Sequence, residues 1–331
     1  MKEQLMASGR NIPDLYPHVD VWGFGIPLYL FIGGLAAGIL LFAAYFYLKG
    51  KGDELPVTVK ISTIIPPVII ALGLFFLVED LHHKAYFWQL MTHFRIQSPM
   101  SWGAWVLTVV FVLSIIWPLT FMDDIIKFFE ENGRKKWANS FVFINNIIEK
   151  TPVLPVVITW SEKNRKLLAG LLLFFGTILG IYTGILLSSM NARPLWNTAI
   201  LGPIFLTSGI STGTAAIMWM SNNAKEKLMY SKIDFVLILT EIVLIVLMFL
   251  GMIWGGEVQV RTAEMFFGGE FTAVFWGIFV GMGLVVPAIL EYMEMKGIHV
   301  PVAVPAFLVL AGGLLFRIIM VTAGQISTYL F

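Results

Sequence analysis

The sequence predicts an all-α membrane protein: eight transmembrane helices in two four-helix bundles, with both termini periplasmic. Three observations carry that expectation. The 331 residues are 58% hydrophobic and 13% charged, with a mean hydropathy of +0.82, whereas soluble domains average about 25% charged. Apolar runs long enough to cross a bilayer at a rise of ~1.5 Å per residue recur eight times. Lysine and arginine gather in alternate connections between those runs.

The first twenty residues are polar (MKEQLMASGRNIPDLYPHVD). They lack a basic segment joined to a short apolar core, so no removable signal peptide is expected, and residues 1–21 read as a periplasmic tail. Spans are bounded by charges or by Pro, Gly and Asn clusters. They run at about Trp22–Leu48, Ile61–Val78, Trp102–Met122, Leu167–Ser189, Asn197–Met220, Ile233–Trp254, Phe271–Leu290 and Val302–Ala323. The first four form a first bundle over 22–189, and the rest form a second over 190–331.

An even number of spans puts both ends of the protein on one side. Connections 1–2, 3–4, 5–6 and 7–8 hold fifteen of the 22 Lys and Arg residues, against six in the N-terminal tail and the other connections. The positive-inside rule makes the richer side cytoplasmic. The protein is therefore expected to be a multi-pass protein of a bacterial inner membrane. The long cytoplasmic 3–4 connection, 123–166, alternates apolar and charged groups at helical spacing, which predicts one or two amphipathic helices lying on the membrane surface.

Span 1 contains Pro27, Tyr29, Gly33, Gly34 and Gly38. The Gly34–Gly38 step lets either a neighbouring helix or a flat ligand approach the backbone closely. Span 5 repeats the arrangement, with Pro203 followed by SGISTG, and spans 4 and 8 share LAGLLLFF and LAGGLLFR. Two parallel four-helix repeats would produce this pattern.

Polar groups inside a membrane are costly and are functional candidates by default. Tyr29 and Tyr182 fall at a similar depth, about 10 Å below the outer surface at 1.5 Å per residue. Glu79, Asp80, His82 and His83 close span 2 at the outer rim. His93, Arg95, Gln97 and Ser98 lie in the next connection, and Asn191 and Arg193 in connection 4–5. Adjacent carboxylates and imidazoles offer a route for proton exchange with outer water. In the second bundle Glu241 and Arg317 lie within spans, at depths about 10 Å apart, too far for direct pairing without a bridge. Ser208, Ser211, Thr212 and Thr214 could bond to either, as a proton path or as helix glue.

Some chemistries are excluded. The sequence has no cysteine, so it holds no disulfide and no cysteine-ligated iron–sulfur cluster. A membrane haem needs histidines inside facing spans. His18, His82, His83, His93 and His299 all lie at or beyond span ends, so no haem is expected. A net charge of +1 gives no reason to expect nucleic acid.

IPLYLFIGGLAAG in span 1, EDL closing span 2, SPMSWGAW entering span 3, YTGILLS in span 4 and FRIIMVTAGQ closing span 8 resemble the NrfD/PsrC family. Its members are quinone-interacting membrane subunits of respiratory complexes. The resemblance runs from about Trp22 to Gln325. It implies a menaquinone or ubiquinone site in the first bundle near the periplasmic surface. It also implies a periplasmic ferredoxin-like iron–sulfur partner, followed by a molybdopterin catalytic subunit or a multihaem cytochrome. Tyr182 matches the family's span-4 quinone tyrosine, Asp80 matches the acidic residue closing span 2, and Tyr29 stands where some members have histidine.

A quinone gains two electrons and two protons, so its site needs two hydrogen-bonding groups, a flat slot and a proton route. Tyr29, Gly33, Gly34, Tyr182, His82, His83, Arg193 and Ser98 are the expected binding residues. Tyr182, Asp80 and Glu79 are expected to handle protons, with Glu241 and Arg317 as a further path. The alternative reading is a secondary transporter, or a proton-translocating subunit without quinone chemistry of its own. The internal repeat and the two intramembrane charges suggest it.

Overall fold

The computed structural model describes residues 22–81 and 83–329, and all regular structure among them is helical. The expected tail 1–21 lies outside the described residues. Eight helical segments of 20 to 30 residues are long and apolar enough to cross a membrane.

Helix α1 spans Gly25–Leu48. The second span opens with a π-helical turn, Val57–Ile61, and a 3-10 turn, Ser62–Ile64, before α2, Ile65–Glu79. Pro66 and Pro67 have no N–H to give the Ser62 and Thr63 carbonyls, so the regular ladder is broken at the 3-10 turn. Carbonyls of the π-helical turn take side-chain donors. Ser62 and Thr63 donate to the Thr58 and Lys60 carbonyls at 2.9 and 2.7 Å, and the Trp117 indole donates to the Val59 carbonyl at 3.0 Å. A lipid-facing backbone has no water to do this.

A short α3 (Gln89–Thr92) leads to α4 (Pro99–Leu119). The long connection folds as three helices rather than one or two: α5 (Met122–Glu131), α6 (Lys135–Lys150) and α7 (Leu154–Lys163). Thr151 and Pro152 break the last two, which meet at 106°. Trp137, Phe143, Val156 and Trp160 stay exposed on them, as surface-lying helices require.

Helix α8 is Arg165–Ser188 and α9 is Leu201–Met220. Helix α10, Ala224–Ile253, starts nine residues before the expected span. Asn223 caps it, its side chain accepting from the Lys225 N–H at 3.0 Å. The small α11 (Glu257–Glu264) comes next. The seventh span is a π-helical segment, Ala273–Val285, continued by α12, Val286–Met295. It runs five residues beyond its expected end. The last span is α13, Ala303–Ile326.

Helix contacts run in two circuits. α1, α2, α4 and α8 touch in a closed ring, as do α9, α10, the seventh span and α13. α1 joins the two by packing on α9 and α13 as well. At its crossing with α9 the two related glycine motifs meet face to face. A methyl on Gly38 would collide with the Gly209 carbonyl, and one on Gly213 would come within 2.7 Å of the Gly38 carbonyl carbon. The start of α1 and the end of α13 are tied together. The Trp22 N–H donates to Gln325 at 2.9 Å, and the Gln325 amide donates back to the Trp22 carbonyl at 3.1 Å.

Gly38→Ala should therefore lower stability by ~1–3 kcal/mol, the usual range for overpacking. Gly170→Ala, which places its methyl in open space on α8, should be nearly neutral. Thermal unfolding of the two variants in detergent checks the contrast.

Candidate functional site

Tyr29 and Tyr182 are both buried, at 5% and 6% exposure. Helices α1 and α8 carry them, and these two helices pack together. The phenols lie close enough to interact electrostatically. Each ring rests on a glycine of a third helix. Tyr182 lies directly against Gly103 of α4, and Tyr29 against Gly73 of α2, where a methyl would sit 3.5 Å from the ring. Neither phenol oxygen has a hydrogen-bond partner among the described residues. Each phenol oxygen keeps some accessible surface, so an incoming acceptor can reach it and take its hydrogen bond.

The expected glycine wall divides in two. Gly33 faces α8, where an added methyl would sit 3.7 Å from the Thr183 methyl. Gly34 faces the other way, where an added methyl would come 3.3 Å from both the Gly209 Cα and an Arg317 nitrogen. Gly34 and Gly38 thus fill a helix crossing. Gly73 and Gly103 are the glycines that meet the phenols. Sequence reasoning misses both, since nothing in the sequence says which glycine faces which tyrosine.

The rim residues are dispersed. Glu79 pairs with Lys84 at 2.6 Å, and both are about half exposed, a pairing usually worth under about 1 kcal/mol. Asp80 is half-buried, and burial pushes its carboxyl up from the ordinary range, so it takes a proton more readily than an exposed aspartate. His83 is exposed, its ring edge-on to Tyr86 at 6.5 Å. His82 lies outside the described residues. Ser98 caps α4, accepting from the Ser101 N–H at 3.4 Å. Arg193 is buried and donates to the Ser327 carbonyl at 3.0 Å. Trp196 beside it donates to the Met320 carbonyl and stacks on Trp22. Arg193 therefore clasps the end of α13.

Arg317 is wholly buried. It donates to Ser208 Oγ at 2.6 Å and to the Gly313 and Phe205 carbonyls at 2.9 and 3.3 Å, and it lies over the Phe205 and Phe316 rings. Glu241 also engages Ser208, so the serine stands between the two charges. The longer α10 reduces their offset. Counting from Ile253 and Ile326, the two lie about 18 and 14 Å deep at 1.5 Å per residue, not 10 Å apart.

Three further carboxylates are buried: Glu226, Asp234 and Glu291. Glu226 and Glu291 fall just outside the expected spans, while Asp234 is the second residue of the expected sixth span and is not singled out there. Glu226 is fully satisfied, by the Thr58 N–H and hydroxyl at 3.0 and 2.6 Å and by Ser221 at 2.7 Å. It anchors the irregular start of the second span.

The family profile described as "Polysulphide reductase, NrfD" matches residues 12–328. The sequence is 30% identical over 323 residues to Protein NrfD of Escherichia coli, covering 93% of this protein and 96% of that one. It is also 30% identical over 323 residues to the C subunit of polysulfide reductase from Wolinella succinogenes, covering 92% and 94%. A Haemophilus influenzae NrfD homolog is 26% identical, with 86% and 87% covered. With eight apolar helices and a match along nearly its whole length, this multi-pass bacterial inner-membrane protein belongs to the NrfD polysulphide reductase family.

Proposed function

We propose that the protein is the quinone-reactive membrane anchor of a respiratory oxidoreductase. It would exchange electrons between a menaquinone or ubiquinone pool and a periplasmic ferredoxin-like iron–sulfur subunit. One observation carries the reading: two buried phenols on adjacent helices, each set on a glycine and each with an uncommitted hydroxyl. A quinone supplies two carbonyls that accept electrons and protons. The Tyr29 and Tyr182 hydroxyls would donate to such carbonyls and orient the ring, with Gly33 beside them. Asp80 and Glu79, with His82 and His83, would pass protons to and from the outer water. The second proton path is Glu241 and Arg317, linked by Ser208.

The relatives' names support a sulfur-compound reductase type of complex, with the terminal chemistry on a partner such as a molybdopterin subunit or a multihaem cytochrome. The closed contact circuits support two four-helix bundles, over 22–189 and 190–331. The bias of basic residues supports periplasmic termini.

Tyr182→Phe should reduce quinol-linked turnover in membranes about tenfold or more, the equivalent of one lost hydrogen bond at ~1.4 kcal/mol per decade, with assembly retained. Unchanged turnover would overturn the assignment. Orientation is separately testable because the protein has no cysteine. An impermeant maleimide should label Tyr329→Cys in cells whose outer membrane has been opened. It should label Asn132→Cys only after the inner membrane is permeabilised.

A further inference from the structure

Asp234 on α10 and Glu291 on α12 are both fully buried. Ser211 donates to Asp234 Oδ1 at 2.6 Å, and the Thr214 hydroxyl lies 2.9 Å from the same atom. No N–H or O–H of any described residue reaches Asp234 Oδ2 or either oxygen of Glu291. Instead, the two carboxyls face each other within hydrogen-bonding reach. Two carboxylates are both pure acceptors, so they can form a bond only with a proton between them. Two negative charges sharing one buried site repel too strongly for both groups to ionise. None of the ion pairs among the described residues involves either group.

We propose that Asp234 and Glu291 form a binding site for a single shared proton, a store that exchanges with water at the membrane face bearing α5–α7. The charged and titratable neighbours are consistent with this. Helix α9 presents only the two hydroxyls. α12 adds Glu294, one turn from Glu291, partly exposed and accepting from Ser231 at 2.6 Å. Glu294 marks the exit. α10 adds Glu241, two turns from Asp234 and within electrostatic range of it, with Oε1 unpartnered. α13 adds Arg317, which is engaged by Ser208 and two carbonyls. The seventh span places the acid. Its π-helical segment and Pro287 change the helical phase before α12, and π segments recur at functional positions for this reason. The proposal needs no quinone and stands apart from the function proposed above.

Infrared spectroscopy of the assembled complex in lipid tests it. At neutral pH the protein should show the carbonyl stretch of a protonated carboxylic acid, shifted in deuterium oxide. Because the pair shares its proton, carbon-13 labelling of aspartate and of glutamate should each move the band. Glu291→Gln and Asp234→Asn should each abolish it, and Glu241→Gln should leave it. A band that answers to neither label or to only one of them overturns the pair, as does one that survives both variants. Loss of the band on adding sodium at constant pH would show a metal-cation site instead. The labelling needs no variant, so the test holds even where a substitution prevents assembly.

Discussion

The contact on which the rest of the molecule depends is the crossing of α1 and α9, where backbone meets backbone. In a bilayer, apolar side chains gain little by leaving lipid for one another, so close packing and polar contacts must hold helices together. Gly34, Gly38, Gly209 and Gly213 allow such a close approach. That approach also brings Gly34 against the Arg317 guanidinium. The same helix presents Tyr29 on another side, toward α2. α1 is therefore the physical link between the paired phenols and the buried charges.

Much of this is legible in the sequence. All eight spans can be read there, since apolar runs of about 20 residues rarely occur outside membranes. The resemblance between GGLAAG and SGISTG points to two related spans, and the structure adds that these motifs pack on each other. Tyr29 and Tyr182 pair by depth alone, because a helix converts sequence distance into height. Height does not give azimuth. Whether Gly34 faces a ligand slot or another helix depends on which neighbour stands there, and the sequence does not show that Arg193 reaches the carbonyl at the end of α13.

The missed carboxylates have a different cause. Ending a span at its first charge is sound when charges stay in water. It fails when the charge is buried, as with Glu226 and Glu291, whereas Asp234 lies inside its expected span and looks there like an ordinary helix-end charge. A signal is available: SNN at 221–223 offers helix-capping side chains well before the apolar run begins, and a cap marks a start whatever the polarity of the next residues. With its start placed at that cap, α10 is long enough to include all the acids it carries.

The mutual bonding of Trp22 and Gln325 has a topological consequence. Because the first and last helices meet at one membrane face, residues 22 and 329 lie where a short linker could join them. New ends cut into the α5–α7 connection would keep all eight spans and every helix contact. The count would still be even, but both ends would emerge on the opposite side of the membrane. The sidedness of the termini is thus a property of where the polypeptide is opened, while the fold itself is compatible with either.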